Sequence, residues 1–96
     1  MVKNVIVELE NIIKKRKKSS DKNSYVVDLF SKGKVKIANK LGEEAVETIS
    51  AFLSEGKDEL LEESADLIFH LLIMLEEANV SLDDVLLILK KRMKND

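Results

Sequence analysis

Two stretches of this chain, 34–54 and 59–78, carry apolar residues at helical spacing without a single proline. Only Ser54-Glu55-Gly56-Lys57-Asp58 separates them. A break that short turns the chain back on itself, so the two stretches read as an antiparallel helix pair. The remainder follows suit, with no proline, three glycines and long runs of Leu, Ile, Val, Glu and Lys. The pattern predicts an all-α fold, a small antiparallel helical bundle of four main helices and a short one. With 96 residues there is room for one modest core, so a single domain over 1–96 and stabilisation by oligomerisation are expected.

The first helix is predicted over about 2–18, with Val2, Val5, Ile6, Leu9, Ile12, Ile13 and Arg16 as its stripe. It closes on the basic run Lys14 to Lys18, which complements a helix C-terminal dipole. After a polar loop, Ser24 caps a short helix from Tyr25 to Lys32 that stops at Gly33. In the next helix Leu41, Ala45, Thr48, Ile49 and Phe52 form the apolar arc, and Lys40, Glu44, Glu47 and Ala51 an adjoining row. Asp58 is the expected cap of the helix that follows. That helix is apolar around most of its circumference, through Leu60, Leu61, Leu67, Ile68, Leu71, Leu72, Met74 and Leu75, and reads as central. Ser81-x-x-Asp84 makes a capping box for a last helix to about 94, whose Leu82, Val85, Leu86, Leu89 and Met93 are expected to face inward.

The central pair also carries two acidic clusters, Glu43-Glu44-x-x-Glu47 and Glu63-x-x-Asp66. Residues three apart share a helix face, so Glu44 projects with Glu47 and Glu63 with Asp66. Antiparallel packing then gathers four carboxylates beside apolar surface, where they repel and lose solvation unless a cation sits among them. Glu59, Glu63, Asp66, His70 and Glu77 form the one polar row on an otherwise apolar helix, and unpaired buried carboxylates are costly. Hard oxygen ligands with no thiol point to Mg²⁺, with Mn²⁺ as the alternative. A divalent ion among carboxylates is chemistry for gripping a polyphosphate and activating water. Two solvated acidic faces are the plain alternative in a chain with 18 acidic residues.

Composition removes several classes. A net charge of −2 lacks the basic excess of a nucleic-acid binder. Without cysteine there is no disulfide framework and no thiolate chemistry. No apolar run is long enough to span a membrane and the N-terminus lacks a signal-peptide core, so a cytoplasmic, soluble protein is expected.

Single residues around the acids leave choices open. Lys40, one turn before Glu44, either neutralises that carboxylate or binds a phosphate oxygen. His70, one turn after Asp66, is either a core histidine hydrogen-bonded to a carboxylate or a group positioning Asp66 or contacting substrate. Arg16 continues an apolar stripe and could turn inward to meet phosphate. Tyr25, the only tyrosine, is a core aromatic or a base-stacking group. Glu43 lies about 100° round the helix from Glu44 and ranks first as the base that takes a proton from water, ahead of roles as a further ligand or a surface residue.

At Glu43-Glu44-x-x-Glu47 and Glu63-x-x-Asp66 the chain resembles the MazG-type all-α nucleoside-triphosphate pyrophosphohydrolase superfamily. Ser24-Tyr25, Leu29, Gly33, Ile37-x-x-Lys40-x-x-Glu43-Glu44-Ala45-x-Glu47, Glu63-Ser64-Ala65-Asp66-Leu67-x-x-His70-Leu71-Leu72 and Arg92 narrow this to a resemblance to the phosphoribosyl-ATP pyrophosphatases of histidine biosynthesis. The resemblance implies hydrolysis of 1-(5-phospho-β-D-ribosyl)-ATP to the AMP derivative and pyrophosphate with Mg²⁺, by a homodimeric helical bundle. It implies Glu44, Glu47, Glu63 and Asp66 as metal ligands, Lys40, Arg16 and Arg92 as phosphate contacts, and Ser24, Tyr25 and His70 as pocket residues. Some relatives carry a fused cyclohydrolase; nothing here corresponds to it, so a monofunctional chain is expected. Small Ser64 and Ala65 suit close helix packing beside the ligands. Two other functions stay open: a house-cleaning pyrophosphohydrolase acting on ordinary or damaged nucleotides, and a non-catalytic helical interaction module.

Overall fold

A computed structural model describes residues 4–94. The described residues form five helices: α1 (Val5–Lys17), α2 (Tyr25–Lys32), α3 (Lys34–Ser54), α4 (Lys57–Glu77) and α5 (Leu82–Met93). Val2, expected at the head of the first stripe, lies outside the described residues.

Local chemistry explains most of the helix ends. The Ser24 hydroxyl accepts from the Val27 N–H at 3.3 Å and starts α2. Gly33, at φ 91°, ends α2 and opens α3 in one residue, a conformation L side chains rarely adopt. At α5 both halves of the capping box form: Asp84 N–H donates to the Ser81 hydroxyl, and Ser81 N–H donates to the Asp84 carboxylate. Asp58 is not a cap. Gly56, at φ 120°, makes the turn, so α4 begins at Lys57 and Asp58 falls within its first turn. There its carboxylate still faces the positive end of the helix dipole.

α3 and α4 form the spine of the fold, a long hairpin in which Thr48 of α3 lies level with Glu63 of α4. α2 packs on α3 and α1 on α4. Ile13, Val26, Leu29, Ile37, Leu72 and Ile73 form the buried core where these four helices meet, with Leu82 against its edge. The basic end of α1 is tied to α4. Lys14 pairs with the Glu76 carboxylate at 2.8 Å, and Lys17 donates to the Glu76 carbonyl at 3.1 Å. Both cations therefore sit at the negative end of the α4 dipole.

Three expected inward faces turn out differently. On α3 the buried residues are Ile37, Glu44 and Ala51, whereas Ile49 is 58% and Phe52 71% exposed. Small and polar residues take the inner face because α4 packs close to it, and the five helices leave nothing to cover the other side. On α4, Leu61 and Ile68 are exposed, as is Ala65, so the central helix is covered only toward its C-terminal half. Leu86, Leu89 and Met93 are exposed as well, and α5 buries no residue. Its attachment is concentrated at its first turn, where the Leu82 N–H donates to the Glu10 carboxylate at 3.0 Å.

Candidate metal centre

The hairpin brings three of the four expected ligands together. Glu44, Glu63 and Asp66 each offer a carboxylate oxygen, and these oxygens all lie within 4.8 Å of one another. Glu44 is 8% exposed, Glu63 half-buried and Asp66 exposed, so the cluster opens outward from the helix interface. Glu47 is exposed, one turn along from Glu44. Of the causes that push the Glu44 carboxyl up to about 7, side-chain hydrogen bonding with Glu47 comes first, then burial, then the charges of Glu47 and Asp66, against the opposing pull of Lys40. Burial, followed by the charges of Glu47 and Asp66, also raises Glu63. Glu44 and Glu63 thus both hold a proton more readily than free carboxyls, as acids buried beside like charge must. Hard oxygens from two helices, converging on one point, fit a divalent cation.

Thr48, expected in the apolar arc, belongs to this site. Its hydroxyl stands 2.7 Å from the Glu44 carbonyl and 3.1 Å from that of Glu63, joining the two acid-bearing helices through their main chains. A threonine one turn after an acid, in a row meant for the core, was the available signal: its hydroxyl needs a partner when buried.

Lys40 is half-buried and pairs with Glu43 at 3.7 Å rather than with Glu44. Glu44 points into the α3–α4 interface, whereas Glu43, a third of a turn away, stays at the surface within reach of the ammonium. Burial works to lower the Lys40 pKa, but Tyr25, Glu43, Glu44 and Glu47 outweigh it and hold the ammonium charged. Glu43 is outside the trio.

His70 is buried, yet its partner is not a carboxylate: Nδ1 lies 2.7 Å from the Asp66 main-chain carbonyl, and Nε2 lies 2.7 Å from the Tyr25 hydroxyl. Tyr25 is 47% exposed, so it is a rim residue rather than a core aromatic. Arg16 is exposed instead of turned inward, and its guanidinium donates to the Ser24 hydroxyl at 3.2 Å. This contact ties the end of α1 to the start of α2, next to Tyr25. Arg92 is exposed on α5, and among the described residues no hydrogen bond or ion pair joins it to the acids.

An all-helical fold carrying a carboxylate cluster on a central hairpin is the arrangement expected of the MazG-like all-α class. A family model described as phosphoribosyl-ATP pyrophosphohydrolase matches residues 6–93. The chain is 47% identical over 90 residues to the phosphoribosyl-ATP pyrophosphatase of Pyrobaculum arsenaticum, covering 94% of this chain and 96% of that one. Identity to the phosphoribosyl-ATP pyrophosphatase of Metallosphaera sedula is also 47% over 90 residues, with 94% and 97% covered. The histidine biosynthesis bifunctional protein HisIE of Thermotoga maritima is 43% identical over 88 residues, which are 92% of this chain but 45% of that protein. The chain belongs to the phosphoribosyl-ATP pyrophosphohydrolase family.

Proposed function

We propose that this chain hydrolyses 1-(5-phospho-β-D-ribosyl)-ATP to 1-(5-phospho-β-D-ribosyl)-AMP and pyrophosphate, the second step of histidine biosynthesis, with Mg²⁺ or Mn²⁺. The observation that carries this reading is the carboxylate trio of Glu44, Glu63 and Asp66, in a chain similar along its length to phosphoribosyl-ATP pyrophosphatases. Glu44, Glu63 and Asp66 would hold the cation, with Glu47 completing the set. Bound there, the ion would neutralise polyphosphate charge and lower the pKa of water.

The protein's own groups divide the remaining work. Water forms the new bond to phosphorus as the bridging P–O bond to pyrophosphate breaks. Glu43, exposed beside Glu44 and outside the ligand set, is the carboxylate proposed to take the water proton. Glu43 also pairs with the Lys40 ammonium, which would meet phosphate oxygens beside the acids. Arg16, fixed to Ser24 at the start of α2, offers a second cation on the Tyr25 side. Arg92 completes this basic set only if a partner subunit brings α5 toward the acids.

The same reading extends to assembly. Residues 1–96 act as one domain, and two copies pair in the cytoplasm through the uncovered apolar stripe of α3 and α4. Taking 100° per residue, Val46, Ile49 and Leu53 lie opposite the inner face of Ile37, Glu44, Thr48 and Ala51. An apolar stripe left uncovered on the outer side of a packed helix is stabilised by a partner there.

Pyrophosphate release with Mg²⁺ from phosphoribosyl-ATP, and from ATP and dUTP in parallel, tests the activity. Rapid release from phosphoribosyl-ATP alone supports it. Release mainly from ATP or dUTP moves the chain to house-cleaning hydrolysis, and release from none leaves a non-catalytic helical module.

A further inference from the structure

The contact between Tyr25 and His70 fixes the direction of a proton. His70 is 5% exposed, and its Nδ1 lies 2.7 Å from the Asp66 carbonyl oxygen. A carbonyl only accepts, so Nδ1 carries the hydrogen. In the neutral imidazole the other nitrogen is then a bare lone pair. Nε2 lies 2.7 Å from the Tyr25 hydroxyl, so tyrosine donates and histidine accepts. A phenol has one proton, and here it is spent on His70. What Tyr25 turns outward is an oxygen able only to accept.

The ring is held in that pose. It stacks on Phe69 at 6.3 Å and 28°, and meets His70 edge-on at 5.6 Å and 77°. Lys40, whose charge acts on Tyr25, is already paired with Glu43. An acceptor-only oxygen repels phosphate oxygens, and the polar surroundings of Lys40, Glu43 and Glu44 suit a hydroxyl better than an apolar base.

We propose that His70 is a positioning residue that sets the Tyr25 hydroxyl as a hydrogen-bond acceptor for a sugar hydroxyl of the substrate, leaving the phosphates to the carboxylate site. This rests on the proposed pyrophosphohydrolase activity. It divides the site into a half that reads sugar and a half that reads polyphosphate, with α4 carrying both through Asp66 and His70.

The test uses the full-length protein at pH 8.5. Nitrogen-15 NMR of labelled histidine should show His70 with its hydrogen on Nδ1, the less common tautomer. Tyr25→Phe should raise KM for phosphoribosyl-ATP about tenfold, the effect of losing one hydrogen bond to a ligand, with kcat nearly unchanged. The inhibition constant for pyrophosphate should not move. His70→Leu should reproduce the rise in KM, and His70→Gln, whose carbonyl can accept the tyrosine proton, should restore it. Should His70→Leu fail to fold, Tyr25→Phe and the NMR signature decide. A hydrogen on Nε2, an unchanged KM in Tyr25→Phe, or a parallel rise in the pyrophosphate constant would each overturn the proposal. A wild-type protein inactive on phosphoribosyl-ATP defeats the activity reading instead, a result separable from an active enzyme indifferent to Tyr25→Phe.

Discussion

The hydroxyl of Thr48 reaches across from α3 to the main-chain carbonyl of Glu63 on α4, 3.1 Å away, while holding the Glu44 carbonyl of its own helix at 2.7 Å. One hydrogen is shared between two acceptors, each belonging to a residue that offers a carboxylate to the cluster. The contact fixes how far apart the two acid-bearing backbones stand. Thr48→Val keeps the shape and removes the bond, and should cost about 1 kcal/mol, lowering the melting temperature by roughly 4–8 °C in a domain this size. Magnesium titrated calorimetrically should bind several-fold more weakly to this variant, and Thr48→Ser should bind like wild type. Equal metal affinity in Thr48→Val would show that the helices keep their spacing without the hydroxyl.

Carboxylate chemistry, rather than packing, is the expected role of Glu47 and Asp66. Both are exposed, so Glu47→Gln and Asp66→Asn should leave the circular dichroism spectrum and melting temperature of the metal-free protein largely intact. Each should abolish Mg²⁺-dependent pyrophosphate release. Substantial residual turnover in Asp66→Asn would remove it from the set that holds the cation.

The pH dependence of the metal-free protein follows from Glu44. Its carboxyl is pushed up to about 7 in the fold from an ordinary 4.5, so between these values the folded state holds a proton that the unfolded chain releases. The resulting stabilisation is fully present below about pH 4.5 and is lost as pH rises through about 7. In the presence of a chelator, wild type should therefore lose stability relative to Glu44→Gln between pH 5 and 8 on melting curves. Cation binding displaces the same proton, so magnesium affinity should rise over this range. A wild-type midpoint that stays level with that of Glu44→Gln across this range would mean that Glu44 is ionised throughout.

Association should depend on the uncovered side of α3. Ile49→Glu and Leu53→Glu place charge on side chains already exposed in the single chain, so the monomer gains no buried charge. Sedimentation equilibrium should show wild type as a dimer and the variants shifted toward monomer. A wild-type protein that remains monomeric at high concentration would contradict the assembly proposed for this stripe.

Much of this was readable from periodicity and end signals. Ser24, Gly33 and the Ser81–Asp84 box act within a few residues, and local chemistry alone positions the helix ends they mark. The acid spacing placed Glu44, Glu63 and Asp66 on facing stripes because helix geometry and a two-residue turn leave little freedom. What periodicity could not reveal was which apolar side of α3 faces inward. Ile49 and Phe52 are as hydrophobic as any core residue, and only the close approach of α4 to Glu44, Thr48 and Ala51 decides against them. The partners of Lys40 and His70 were hidden for a related reason. Spacing brings Glu44 and Asp66 within reach, but side-chain direction selects Glu43 for the lysine and a main-chain carbonyl for the histidine.

The turn at Glu55 and Gly56 also bears on the order in which the protein assembles. Every member of the carboxylate cluster lies between residues 44 and 66, and the two helices that bear them are joined by a turn of only Glu55 and Gly56. Closing so small a loop costs little chain entropy, and contacts this near in sequence tend to form early. The acids are thus drawn together by a piece of chain that need not wait for α1 or α5. Their mutual repulsion then falls on the folding nucleus itself, and a cation that relieves it should speed folding as well as stabilise the folded state.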